Sequence, residues 1–276
     1  MTSIRIGTRT SQLAMVQAEH VKSELERYHS GDKFDIHSMK TLGDNVLDKP
    51  LYTFGGKSLW TSELEAVLLD SSIDMIVHSL KDVPTTLPEE FEIAAILKRE
   101  DPREALVMKA GSPYKSLKDL PKGAVVGTSS LRRIAQLKRA YPHLQFMSAR
   151  GNLNTRLAKL DNPASEYSCL ILAAAGLIRL GFKERITMYL ESPELFYAVG
   201  QGALGIEIRK NDKNILSLLE PLVDIPTTYE CIAERSLMRT LEGGCSIPIG
   251  VNCSYNNGML TMKSTVTSVN GEEQVA

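Results

Sequence analysis

The chain has 276 residues, 43% of them hydrophobic and 24% charged, with a formal net charge of −1. That length supplies apolar surface for two or three domains, and the near-zero charge removes a global electrostatic case for nucleic-acid binding. No run of about 18 apolar residues occurs, so no membrane span is expected, and Met1-Thr2-Ser3-Ile4-Arg5 contains no apolar signal region, which predicts a cytoplasmic protein.

Strand and helix signals alternate along the chain. Ile4-Arg5-Ile6-Gly7-Thr8 alternates as a strand, and Ser11 is placed to cap a helix that carries Leu13, Val16, Val21, Leu25 and Tyr28 at helical spacing. A strand is expected over 34–39, then a polar, glycine-bearing loop over 42–59, long enough to carry function. A short helix over 62–69 leads into a buried strand at 74–78. Further strands are expected near 92–97, 105–109, 124–128, 145–149, 169–173 and 204–209, with helices over 131–140, 153–160, 214–222 and 227–241. This order predicts an α/β protein with largely parallel sheets. Residues 249–255 and 259–269 flank Asn256-Asn257-Gly258 and read as a hairpin. With the helix before it, the hairpin forms a small α+β unit over about 222–276.

Four cysteines occur, Cys169, Cys231, Cys245 and Cys253, with no C-x-x-C pair. Neither a disulfide framework nor a metal site is expected. Cys169 lies in an apolar run and Cys231 in a helical pattern, so both read as packed core residues. Cys245 differs. It sits in Leu241-Glu242-Gly243-Gly244-Cys245-Ser246-Ile247-Pro248, where two glycines permit a sharp turn after a helix and a proline stops further helix. Such a turn presents a thiol, and a thiolate forms covalent bonds at neutral pH that a hydroxyl does not.

In doubly wound sheets ligands bind at the carboxyl ends of the strands. Five segments at such positions carry polar residues: Thr8 to Ser11, His78 to Asp82, Gly127 to Arg133, Ala149 to Asn152 with Arg156 one turn on, and Ala174 to Arg179. Arginines with Ser/Thr hydroxyls at helix starts suit a small molecule bearing several carboxylates or phosphates. Any one of these arginines alone reads as a solvated surface charge; their recurrence at one structural position argues for a site. Asp82 is an acid among these basic loops, able to hold a developing cation or shuttle a proton, or else to cap a turn before Val83-Pro84. Gly55-Gly56-Lys57-Ser58 lacks the spacing of a phosphate-binding loop. Trp60, the single tryptophan, is either a core plug or an aromatic lid over a ring-shaped ligand.

The ordered motifs resemble the porphobilinogen deaminase (hydroxymethylbilane synthase) family over nearly the whole chain. They are Ile6 to Ala14, Val77 to Pro84, Arg99 to Arg103, Val126 to Arg133, Arg150-Gly151-Asn152, Ala198 to Ala203, and Glu234-Arg235 through Leu241 to Gly250. The resemblance implies a transferase of tetrapyrrole and heme biosynthesis that joins four porphobilinogen units head to tail, with loss of ammonia, to give hydroxymethylbilane. It implies a dipyrromethane cofactor bound covalently, by a thioether, to Cys245. Porphobilinogen carries an acetate and a propionate, which explains the arginines. The resemblance implies that Lys81, Asp82, Ser129, Arg132, Arg133, Arg150 and Gly151 hold the cofactor. Substrate contacts fall to Arg9, Ser11, Arg156, Arg179, Gln201 and Gly202, with Lys57 and Trp60. Asp82 is the catalytic residue, contacting pyrrole nitrogens and stabilising the azafulvene cation left by ammonia. No metal is implied.

The implied fold is two lobes like those of type II periplasmic binding proteins plus a small α+β C-terminal domain, shortened here. Domain 1 is expected over 1–98 and 200–219, domain 2 over 102–198, and domain 3 over 222–276. The implied protein is a monomer whose partner is the small molecule porphobilinogen, with neither nucleic acid nor membrane. Two positions depart from the family pattern: Thr53 stands where lysine is frequent, and Trp60 where phenylalanine is usual. A non-enzymatic binding protein of the periplasmic type would share the cleft but needs neither Asp82 nor a presented thiol, and a transcriptional effector domain of that fold would be expected to follow a helix-turn-helix segment.

Overall fold

The computed structural model describes residues 3–41, 61–241 and 247–276. Thirteen strands in the described residues form three sheets. The first contains β1 (Ser3–Arg9), β2 (Lys33–Met39), β3 (Met75–Ser79), β4 (Phe91–Ile96) and β10 (Leu204–Arg209), in the order β2-β1-β3-β10-β4. The second contains β5 (Glu104–Met108), β6 (Val125–Gly127), β7 (Gln145–Met147), β8 (Tyr167–Ala173) and β9 (Met188–Leu190), in the order β7-β6-β8-β5-β9. The third is the antiparallel β11 (Ile249–Asn256), β12 (Met259–Thr267) and β13 (Gln274–Val275). Described helices are α1 (Gln12–Tyr28), α2 (Ser62–Leu69), α3 (Leu131–Ala140), α4 (Leu153–Asp161), α5 (Ala174–Arg179), α6 (Lys213–Leu219) and α7 (Ile225–Thr240).

The two large sheets share one plan. Three strands run parallel, and the fourth, β10 in one sheet and β5 in the other, runs antiparallel to both of its neighbours. The expectation of largely parallel sheets is corrected by this. Each antiparallel strand is the first to enter its sheet after the chain crosses from the other lobe, and alternation of elements in sequence carries no sign of that reversal. Two further departures have local causes. The apolar Ala174-Ala175-Gly176-Leu177 segment continues into a short helix, α5, where a loop was expected. The strand β9 has only three residues, too few to show a period.

Each lobe buries apolar residues on both faces of its sheet. In the first, Ala18, Val21 and Leu25 of α1 pack on Ile4, Ile6, Phe34 and Met75, while Leu64 and Leu68 of α2 cover Ile73, Ile76 and Phe91 on the other face. Side chains of this size each contribute roughly 1.5–3 kcal/mol on burial. The second sheet is covered likewise, with Leu106, Val126, Cys169 and Ile171 on one face and Val107, Leu170 and Leu172 on the other. Cys169 and Cys231 are fully buried, as expected of core thiols.

Two crossings join the lobes and lie side by side, linked by Leu97 N–H to Leu204 O and Glu100 N–H to Gly202 O, both 3.1 Å. The third sheet and α7 lean on them: Tyr197 and Val251 exchange backbone hydrogen bonds at 3.1 and 2.9 Å. Among the described residues no helix is long and apolar enough to cross a membrane.

Candidate active site

A cleft of about 910 Å³ lies between the lobes. Its walls are the carboxyl ends of parallel strands and the starts of the helices after them. From the first lobe come Arg9 at the end of β1 with Ser11 beyond it, and Ser79 at the end of β3 with Lys81 and Asp82 beyond it. From the second come Ser129 beyond β6, Arg150 and Gly151 beyond β7, Arg133 and Arg156 from α3 and α4, and Arg179 from α5. Gly202 of the return crossing lines it too.

The local sequence explains these positions. Ser11 caps α1 by accepting from Ala14 N–H at 3.3 Å, Ser130 caps α3 by accepting from Arg133 N–H at 3.4 Å, and Asn152 caps α4 by accepting from Thr155 N–H at 2.8 Å. Three helix N-termini thus start at the cleft and add positive potential to it. Gly151 has φ +108°, and a Cβ there would lie 3.1 Å from Thr155 Cγ2, so the turn into α4 requires glycine.

Charge in the cleft is one-sided. Cations at its wall are Arg9, Lys40 and Lys81 on the first lobe, and Arg133, Arg150, Arg156, Lys159 and Arg179 on the second; among the described lining residues Asp82 is the one carboxylate. Asp82 ends the 3-10 turn Leu80–Asp82 without capping it, so the turn-cap reading does not hold. Surrounding protein lowers the Lys81 pKa by desolvation, opposed by Asp82, and Arg133 and Arg156 lower it further. Lys81 keeps open surface toward the cleft, so the depression comes from protein packed around an open pocket. Burial likewise lowers Arg156 to about 10, with Arg133 adding repulsion and Asp82 opposing it. Arg156 Nε is buried without a hydrogen-bond partner among the described residues, and so is Arg133 Nε.

Two expected ligand contacts lie elsewhere. Arg132 does not line the cleft. It is buried, and its guanidinium donates to Glu104 Oε1 at 2.5 Å and to the Phe196 carbonyl; Arg133, equally buried, shares Glu104 with it but also lines the cleft. Gln201 is buried at the crossings, where its Nε2 donates to the Pro102 carbonyl at 2.7 Å. Arg179 touches both regions, lining the cleft while donating to the Gly202 carbonyl at 2.7 Å. Ser129 shares a 2.8 Å hydrogen bond with Ser148. Cys245, Lys57 and Trp60 lie outside the described residues.

Sequence reasoning missed Glu104, the buried partner of Arg132 and Arg133, held near pKa 2 by those arginines against the opposing effect of its burial. Its signal was present as a charged residue at the start of an apolar strand. Also missed were Gln17, whose Nε2 donates to Ser79 Oγ at 2.9 Å, and Lys40 and Lys159 at the cleft wall.

Residues 4–217 match the family described as porphobilinogen deaminase, dipyromethane cofactor binding domain, and residues 228–276 match the porphobilinogen deaminase C-terminal domain. The chain belongs to the porphobilinogen deaminase family. It is 60% identical over 275 residues to the porphobilinogen deaminase of Candida albicans, covering 97% of this chain and 80% of that one. The Saccharomyces cerevisiae enzyme is 53% identical, with 99% and 85% covered, and that of Synechococcus elongatus 52%, with 98% and 83% covered. In fold the chain resembles the substrate-binding domain of a candidate molybdenum ABC transporter from Clostridium difficile, at TM-score 0.50 and 11% identity, covering 85% of this chain and 97% of that one. The architecture is that of type II periplasmic binding proteins with an added C-terminal sheet domain. Porphobilinogen deaminases are enzymes of porphyrin and heme biosynthesis, and the matched domain is one that binds a dipyrromethane cofactor. The cleft residues fit such a group. A dipyrromethane made from two substrate units bears carboxylates, and the cleft offers buried guanidinium nitrogens on Arg133 and Arg156 that have no hydrogen-bond partner among the described residues.

Proposed function

We propose that this cleft condenses four porphobilinogen units head to tail, releasing ammonia, to form hydroxymethylbilane, and that Asp82 is its catalytic residue. The observation that carries the reading is the isolation of Asp82 as the one carboxylate among the described residues of a cleft otherwise lined by cations. A polycarboxylate ligand needs the cations, and a step that develops positive charge needs a single, well-placed anion.

Each substrate ring brings an acetate and a propionate. Arg9, Arg150, Arg156 and Arg179 bind them, with Ser11 and the helix N-termini in support. Arg156 and Lys81 are destabilised as cations by their surroundings, so a bound carboxylate relieves them and gains affinity. As a carboxylate, Asp82 stabilises the cation that ammonia leaves behind, and it then accepts the proton that the attacking pyrrole carbon releases once the new C–C bond has formed. Gly202, which lines the cleft, lets the return crossing lie against Glu100 of the first crossing.

Arg133, Arg150, Arg156, Lys81, Ser129 and Gly151 would hold the dipyrromethane, anchored by a thioether to Cys245. When bound, it supplies the pyrrole end to which substrate is joined. On this reading Cys245 reacts once and serves afterwards as a tether. Domain 1 spans about 1–98 and 200–219, domain 2 about 102–198, and domain 3 about 222–276. The protein acts as a cytoplasmic monomer.

Intact mass of the purified protein tests the tether. The mass should exceed that of the sequence by one dipyrromethane, and Cys245→Ser should remove the excess. A wild-type protein with sequence mass and full turnover would overturn the cofactor assignment.

A further inference from the structure

Glu104 is the first residue of β5, at the exit of the first crossing, and has no exposed surface. Its backbone is fixed on both sides, opposite Ala173 of β8 and Leu190 of β9. Oε1 accepts from Arg132 Nη2 at 2.5 Å and Oε2 from Arg133 Nη2 at 2.6 Å. The other terminal nitrogens are committed too, Arg132 Nη1 to the Phe196 carbonyl and Arg133 Nη1 to the Ile171 carbonyl at 2.9 Å. What remains of Arg133 is its Nε, without a partner among the described residues, on a side chain that lines the cleft.

The arrangement solves an electrostatic conflict. Two consecutive buried guanidinium groups repel each other, and Arg133 also repels Lys81 and Arg156. A carboxylate divided between the pair holds both in place. Without it, the open carboxylate available to Arg133 among the described cleft residues is Asp82. An arginine–carboxylate pair there would occupy the group that the reaction needs.

We infer that Glu104 is a positioning residue for the condensation: it holds Arg133 by its terminal nitrogens, off Asp82, and leaves the remaining donor for a ligand carboxylate. Glu104 is enclosed and acts through Arg133, not by touching the ligand. The inference rests on the reading of the cleft proposed above.

The test is a double-mutant cycle on the full chain, with Glu104→Gln, Arg133→Gln and the pair together, and Glu104→Asp as the conservative variant. Turnover and KM for porphobilinogen are measured with the unfolding midpoint. Glu104→Gln should raise KM roughly tenfold and lower kcat, as expected when the charge-assisted contact of Arg133 with a ligand carboxylate is lost. Glu104→Asp, which keeps the charge on a shorter stem, should recover most of both. The double variant should be no worse than Arg133→Gln alone. Wild-type kinetics in Glu104→Gln, equal impairment in Glu104→Asp, or losses that multiply in the double variant would each overturn the inference. If Glu104→Gln does not fold, the residual KM increase of Glu104→Asp is read instead: it should vanish in the Arg133→Gln background, and its persistence there, or the absence of any KM increase, would overturn the inference. Failure of the underlying reading looks different, because wild type itself would then release no ammonia from porphobilinogen.

Discussion

Arg99 and Glu234 meet in a two-pronged ion pair, Nη1 to Oε1 and Nη2 to Oε2, both at 2.8 Å. The same carboxylate accepts from Gly200 N–H at 2.7 Å, and Arg99 Nε donates to the Gln201 carbonyl at 2.7 Å. One acid of α7 therefore fastens both crossings, and α7 is the helix that precedes Cys245 in the sequence. Breaking a buried pair by removing one charge leaves the other uncompensated, at a cost of roughly 3–5 kcal/mol. Glu234→Gln should lower the unfolding free energy by about that amount in denaturant titration. A loss under about 1 kcal/mol would show that the pair contributes no more than a surface bridge.

Arg156 and Arg132 should part company under conservative substitution. Arg156 Nε has no hydrogen-bond partner among the described residues, so Arg156→Lys should raise KM roughly tenfold, by loss of two-pronged carboxylate binding, with little change in unfolding midpoint. Arg132 is committed to Glu104 and Phe196, so Arg132→Lys should show its main effect as lost stability. Kinetic and thermal data on the two variants side by side check the contrast; a reversed pattern would contradict the placement of Arg132 outside the cleft.

The geometry of the return crossing predicts intolerance at Gly202. Its φ is +87°, and a Cβ there would lie 2.3 Å from the Glu100 carbonyl oxygen. Gly202→Ala should cost at least about 1–3 kcal/mol, through strained backbone and forced separation of the crossings. Unfolding measurements on the variant check this, and a stability equal to wild type would contradict it.

Glu104 gives a pH dependence of known sign. Arg132 and Arg133 hold its pKa below the ordinary 4.5, near 2. A depressed carboxylate contributes stability that is fully present above its unfolded pKa and is lost as pH falls toward its folded one. The stability gap between wild type and Glu104→Gln should therefore be constant near neutrality, at a few kcal/mol, and shrink between about pH 4.5 and pH 2. Denaturant unfolding across that range checks it; a gap that widens on acidification would be inconsistent with the buried pair.

Much of this was legible in the sequence because it rests on local rules. The caps Ser11, Ser130 and Asn152 mark helix starts, and polar residues directly after apolar strands mark the cleft. The misread features depend on what lies across space. Arg132 and Arg133 are adjacent in sequence and both basic, and both end on Glu104, a partner on another strand that their own segment does not reveal; of the two, only Arg133 also lines the cleft. Gln201 reads as a cleft residue beside Gly202 but faces Pro102 across the paired crossings. The antiparallel strands β5 and β10 are likewise products of the crossings, which carry no period.

The most direct test of the central claim is ammonia release from porphobilinogen by wild type and Asp82→Asn at equal concentration, each first shown to be folded by its unfolding midpoint. Asp82 is exposed to the cleft and caps nothing, so the substitution should leave the fold intact while lowering turnover by roughly 10²–10⁴-fold, the usual contribution of a general acid–base group. Turnover within a factor of a few of wild type would contradict the assignment of Asp82 and, with it, the account of the cleft.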